Sequence, residues 1–219
     1  MAVRPPRQRP FLQPITLARI RAENVTIFGA GGAGRQLALQ LVSLGITKIT
    51  VVDPTRVIRR HLASEGYRAD DVGRPKVDCL GDVCHQAQPL LDYAGLPVPY
   101  RTGDAFGTSV FCCASSMSER KQVWSKVQGT CRFLCDVRLD GETLRILTAS
   151  DESSRRRFAT TLAREAAKVR RTSPSLISTA GLAASLAVHQ FTHYLRDLPL
   201  QHETTLNVAT GRIETLRDE

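Results

Sequence analysis

Between Val25 and Gly34 the chain reads Val-Thr-Ile-Phe-Gly-Ala-Gly-Gly-Ala-Gly, and no other stretch limits its possible folds so tightly. A short apolar run enters three glycines spaced G-x-G-x-x-G, at Gly29, Gly31 and Gly34, and a helix-like segment from Arg35 to Leu44 follows at once. The pattern predicts a buried strand, a tight turn and a helix. Gly29 permits the turn, Gly31 leaves room for a phosphate because it lacks a Cβ, and Gly34 lets the helix pack close to the sheet. The free N–H groups at the helix start point toward an anion, which makes the turn, with Ala30 and Gly32 inside it, a candidate nucleotide-binding loop. A second apolar run ends at Asp53, placed to accept hydrogen bonds from a ribose diol. The same spacing also serves a strand–helix turn that binds nothing, so the loop by itself leaves both readings open.

Composition narrows the classes. A chain of 219 residues can bury a full core. No apolar run approaches the length of a membrane span, and the N-terminal Met-Ala-Val-Arg-Pro-Pro-Arg lacks the apolar middle of a signal peptide. A cytoplasmic protein is expected. The six cysteines, at 79, 84, 112, 113, 131 and 135, then read as reduced core residues, and none has the C-x-x-C spacing of a zinc ribbon, so no metal site is expected. Cys112 and Cys113 are adjacent on a predicted strand and should face opposite ways. The net charge is +9, carried mostly by arginine and concentrated at Arg4, Arg7 and Arg9 and from Arg155 to Arg171. Aromatic residues make up 5% and none interleaves with the basic run, which argues against a nucleic-acid stacking platform.

Along the chain, residues 1–13 read as a flexible basic arm and 14–219 as one domain. Strands are expected at Val25–Phe28, Lys48–Asp53, Leu96–Arg101, Ser109–Cys113, Arg132–Val137 and Glu142–Leu147. Helices are expected at Pro14–Ala22, Arg35–Leu44, Lys76–Gln88, Met117–Gln128, Arg155–Val169 and Pro174–Arg196, the last opened by Ser173 and Pro174 and apolar on most faces, so buried or packed on another subunit. A hairpin around Thr210-Gly211 closes the chain. Strands alternating with helices predict an α/β fold: a doubly wound, mostly parallel Rossmann-like sheet with helices on both faces and a C-terminal helix plus hairpin.

Beyond Asp53 comes a polar stretch that ends Gly73-Arg74-Pro75-Lys76. In this context the turn resembles the family that contains ThiF, MoeB, HesA and the ubiquitin-activating enzymes. The resemblance takes in the glycine loop, Asp53, this turn, the fourth strand with its following segment and, more loosely, the last helix and hairpin. It implies a homodimer that binds ATP with Mg2+ and engages the C-terminus of a small ubiquitin-like or sulfur-carrier protein, whose carboxylate attacks the α-phosphorus to give an acyl adenylate. It also implies that Lys76 faces the phosphates. Read from the residues alone, Lys76 is an exposed lysine at a helix N-terminus, unfavourable against the helix dipole unless an anion lies there.

The match departs from the family in three places. The family's Asn-x-x-Arg-Gln falls on His61 to Glu65, so its arginine becomes Ser64 and its glutamine Glu65. The family's magnesium-holding aspartate becomes neutral Ser115, although Arg120 fits the arginine that follows. No cysteine occurs after Cys135, so a thioester step is not expected. Losing one preorganised charge partner of a developing oxyanion costs about 3–4 kcal/mol. Arg59, Arg60 or Arg68, Asp104, or Arg7 or Arg9 reaching across a dimer, would be the replacements. Two outcomes follow: an adenylyltransferase, or a protein that binds nucleotide and carrier without adenylating. Other classes stay open: an NAD-dependent oxidoreductase, which leaves the Gly73–Lys76 turn unexplained, and a catalytically silent adaptor. His189 and His193, spaced i, i+4, lack a third metal ligand.

Overall fold

The computed structural model describes residues 15–100, 106–165 and 176–216. The basic arm, Asp104, Ser173 with Pro174, and Lys168, Arg170 and Arg171 lie outside them. A short helix α1 (Leu17–Arg21) leads to strand β1 (Val25–Phe28), every residue of which is buried. Strand β1 sits between parallel neighbours on both sides, β2 (Lys48–Val52) and β4 (Ser109–Cys112). A strand covered on both faces reads as a continuous apolar run, and Val25, Ile27 and Phe28 supply one. Thr26 is the exception, and its buried hydroxyl accepts from the Gly107 N–H at 2.8 Å.

The sheet runs β3-β2-β1-β4-β5-β6-β7-β8. Strands β3 (Asp92–Leu96) to β5 (Phe133–Asp140) are parallel, and β6 (Thr143–Ala149), β7 (Glu203–Asn207) and β8 (Arg212–Leu216) extend the sheet antiparallel. Alternation along the strands splits the core in two. Val25, Ile27, Val51 and Phe111 face α2 (Gly32–Leu44), α4 (Lys76–Ala87) and α7 (Ile177–Tyr194). Phe28, Val52, Val110 and Leu134 face α5 (Met117–Val127) and α6 (Glu152–Glu165). The fold is thus the expected α/β one, with helices on both faces of a mostly parallel sheet. Cys112 and Cys113 point into opposite layers, as two neighbours on a strand must.

Helix α7 buries Ala180, Ala183, Ala184 and Ala187 on one face. That row of small side chains brings it close to α2 and to β5 and β6. Helix α2 ends at Gly45, whose φ of 107° is the left-handed conformation of a helix C-cap. The closing hairpin turns at Gly211, also left-handed.

Several elements differ from the sequence expectation: α2 begins at Gly32 rather than Arg35, and β5 runs on to Asp140 rather than Val137. The third strand is Asp92–Leu96, not Leu96–Arg101; of the expected residues only Leu96 pairs, in register with Val52. Pro97 and Pro99 have no N–H to give to a ladder, so pairing stops before them. Helix α6 begins at Glu152 rather than Arg155, because the Asp151 carboxylate accepts from the Ser154 N–H at 2.9 Å and caps it three residues early. The polar stretch after Asp53 contains a helix of its own, α3 (Arg60–Glu65).

Candidate nucleotide cleft

The chain leaves β1 toward β2 on one side, while β4 lies on the other, so the strand order reverses at β1. Such a reversal opens a crevice at the carboxyl ends of the strands. Here it is a cleft of about 620 Å³ lined by Gly29, Gly31, Asp53, Glu65, Lys76 and Glu119, among others.

The glycine turn forms its floor. Gly29 has φ 100°, and a Cβ there would stand 2.6 Å from the Cys113 carbonyl oxygen. A Cβ on Gly34 would stand 1.8 Å from the Gly29 oxygen, so α2 sits directly on the turn. Gly31 is the N-cap of α2 and offers no side-chain acceptor to the first N–H groups of the helix. Those groups are orphans that an anion can satisfy.

Asp53 is buried at the end of β2. One carboxylate oxygen accepts from the Ala30 N–H at 2.7 Å, and the other accepts from the Thr55 N–H at 2.7 Å and the Thr55 hydroxyl at 2.5 Å. It therefore fixes the glycine turn and the chain after β2, and a carboxylate with about four acceptor positions keeps some capacity for a ligand. Tyr67 holds the other backbone group of the same residue: its hydroxyl donates to the Ala30 carbonyl at 2.7 Å. The Arg35 guanidinium lies 5.4 Å from the Tyr67 ring centre. Burial holds the Tyr67 phenol well above its ordinary pKa, so it remains a donor.

Lys76 reaches the cleft because the Gly73–Lys76 turn is stitched to the segment after Asp53. Gly73, at φ 92°, gives its N–H to the Val57 carbonyl, and the Lys76 N–H donates to the Thr55 carbonyl at 3.0 Å. Arg56 donates to the Gly73 carbonyl at 2.8 Å, while Arg74 turns outward to Asp82. Lys76 is not exposed: its side chain is 7% accessible, and its ammonium lies 2.7 Å from a Glu65 carboxylate oxygen. The other Glu65 oxygen is 3.8 Å from His61 Nε2. His61 Nδ1 accepts from the Ile58 N–H at 3.1 Å. Burial lowers the His61 pKa, partly offset by Glu65, so the ring is held neutral with its N–H on the Glu65 side.

At the positions where the resemblance finds departures, Ser64 donates to the Arg60 carbonyl within its own helix at 2.9 Å. Ser115 gives its N–H and hydroxyl to one Glu119 oxygen, at 3.1 and 2.9 Å, and Ser116 completes a capping box with the same carboxylate. Arg120 points inward, not into the cleft. Its Nε donates to Asp136 at 2.9 Å and its Nη2 to the Val137 carbonyl at 2.7 Å, while Arg138 donates to the other Asp136 oxygen at 2.6 Å. Of the candidate replacement arginines, Arg60 lines the cleft and Arg68 leans toward Asp71. Among the described residues no cluster of three His, Cys, Asp or Glu side chains could hold a metal.

Sequence reasoning brought Gly29, Ala30, Gly31, Gly32, Gly34, Asp53 and Lys76 to one place, and the structure sets them around one turn. It missed Tyr67, Asp136 and Glu119, and met Glu65 only as a replaced glutamine. A signal for Asp136 existed: an acid inside the apolar run Phe133-Leu134-Cys135, with an arginine two residues on and so on the same face of the strand.

Residues 7–215 match the model of the ThiF family. A segment of 74 residues, 32% of the chain, is 38% identical to tRNA threonylcarbamoyladenosine dehydratase 2 of Saccharomyces cerevisiae, covering 16% of that protein. A segment of 80 residues, 36% of the chain, is 34% identical to a shikimate dehydrogenase (NADP(+)) of Symbiobacterium thermophilum, covering 26% of it. The chain thus spans only a fraction of these curated relatives. Among solved structures, PaaA superposes with a TM-score of 0.72 at 18% identity, over 92% of this chain and 74% of its own. E. coli MccB with ATP superposes with a TM-score of 0.71 at 12% identity, over 92% and 65%. At such identities the likeness is one of fold. The family match covers nearly the whole chain, and the chain belongs to the ThiF family.

Proposed function

We propose that this chain binds an adenine nucleotide in the cleft between β1 and β4 and engages the C-terminus of a small ubiquitin-like or sulfur-carrier protein, either adenylating it or holding it without adenylation. One observation carries the reading: an uncapped helix N-terminus faces a buried lysine across a glycine floor, beside an acid suited to ribose. The residues present fit such a ligand. The first N–H groups of α2, with Gly29, Ala30, Gly31, Gly32 and Gly34 forming the turn, would hold a phosphate. Asp53 would accept from the ribose, and Lys76 would offset phosphate charge. ATP supplies the activated phosphoryl centre that a carboxylate can attack. The match to MccB solved with ATP supports the choice of nucleotide.

Mg2+ would arrive with the triphosphate. The protein side fits it poorly, because Ser115 is neutral and one Glu119 oxygen already accepts from Ser115 and Ser116. Exposed Leu176, Ile177 and Leu182 at the start of α7 support a homodimer, and six unpaired cysteines support a cytoplasmic protein.

Calorimetric titration with ATP, AMP and NAD+ tests the cleft, and ATP–pyrophosphate exchange with a carrier ending in Gly-Gly tests the reaction. Saturable binding of ATP or AMP is expected, and no heat from either at millimolar concentration overturns the reading. The dehydrogenase match supports a second reading, a nicotinamide cofactor on the same turn. Tight NAD+ binding that ATP does not displace would favour it.

A further inference from the structure

An anion site built for a ligand already contains an anion of the protein. The Glu65 carboxylate lies 2.7 Å from the Lys76 ammonium, with both side chains largely buried. Around the place where a Cβ on Gly31 would stand, the nearest atoms are those of Glu65, its Oε1 at 3.7 Å. The carboxylate therefore covers the one glycine of the turn that is otherwise open toward the cleft. On its other side stands the neutral His61 ring, its Nε2 at 3.8 Å. A cation, a ring N–H and bare glycine backbone are the surroundings in which a phosphoryl oxygen would be stable, and Glu65 sits among them.

We propose that Glu65 is the specificity-determining residue of this cleft, its carboxylate taking the place an outer phosphate would hold against Lys76, so that the cleft favours an adenine nucleotide with one phosphate over a triphosphate. The proposal rests on the nucleotide reading above and goes beyond it. Lys76 is neutralised before any ligand arrives. A monophosphate can use the N-terminus of α2 and leave the pair intact. A triphosphate needs the lysine, so it must either break the pair or bring its own charge beside Glu65. Like charges a few ångströms apart in a half-buried site repel strongly. Removing the charge at position 65 while keeping its shape should free Lys76 for the longer nucleotide. Discrimination of this kind works by repulsion of the wrong ligand rather than attraction of the right one.

The test is calorimetry of the parent protein and Glu65→Gln with AMP and with ATP in the presence of Mg2+. The parent should bind AMP more tightly than ATP. Glu65→Gln should tighten ATP by about tenfold and leave AMP within about threefold. Adding Lys76→Met to Glu65→Gln should remove the gain. A circular-dichroism melt checks folding, and Glu65→Ala serves as a second variant if glutamine disturbs α3. An unchanged ATP-to-AMP ratio in the folded variants, or weaker ATP binding, overturns the proposal while nucleotide binding stands. Absence of heat from either nucleotide in parent and variants alike removes the nucleotide reading, and this inference with it.

Discussion

The Tyr67 hydroxyl donates to the carbonyl of Ala30 at 2.7 Å, while the N–H of the same residue donates to Asp53 at 2.7 Å. The glycine turn is thus clamped from two segments, the end of β2 and the chain after α3. A turn with four glycines, Gly29, Gly31, Gly32 and Gly34, has more unfolded conformations to lose than a stretch of other residues. The two clamps define which one it keeps.

Tyr67→Phe removes one clamp and leaves a buried carbonyl without its donor. The expected loss is about 1–3 kcal/mol of stability, the cost of an unsatisfied buried group. Chemical denaturation should show the midpoint falling with little change in slope. Nucleotide binding should weaken as well, because the anion-facing backbone is no longer held. A variant as stable as the parent would show that the hydroxyl bond is not a clamp.

Asp136 is fully buried in β5 and accepts from both Arg120 and Arg138. Removing Arg120 leaves Arg138 to compensate the Asp136 charge but strips one buried Asp136 oxygen and the Val137 carbonyl of their donor, which costs about 1–3 kcal/mol. Arg120→Met should therefore destabilise the protein by that order, and thermal or urea unfolding measures it. If Arg120 served the cleft instead, the variant would keep its stability and lose nucleotide affinity. The geometry predicts the reverse ordering of effects.

The cysteines should be chemically quiet. Burial pushes the Cys79 and Cys84 thiols up to about 11 and Cys112 up to about 12, and it also raises Cys113, Cys131 and Cys135. A thiol with a pKa near 11 is on the order of 0.1% thiolate at pH 8. Iodoacetamide should label the native protein slowly at that pH, and all six positions in urea. Mass spectrometry of the labelled peptides checks this. Cys113, half-buried at the cleft, is the position to watch, and fast labelling there would mark a nucleophile.

Much of the architecture was legible along the chain. The glycine spacing located the turn, and the apolar runs before Gly29 and Asp53 located two central strands, because the fold repeats a two-residue alternation and a helical period that local sequence carries directly. Gly73-Arg74-Pro75-Lys76 marked the second crossover. Local pattern misplaced β3, where the strand is set by pairing with β2 and by two prolines that end it, not by the apolar character of Leu96 to Tyr100.

Sequence alone thus determined the topology around the glycine turn, since a turn of that spacing between a strand and a helix leaves few ways to continue. Tertiary structure alone decided the charge of the cleft. Lys76 reads as a cation without a partner until the fold brings Glu65 within 2.7 Å of it, and Arg120 does so until the fold gives it Asp136. Charges separated along the chain acquire partners only when folding removes the water between them, and no local periodicity records which charge will be met.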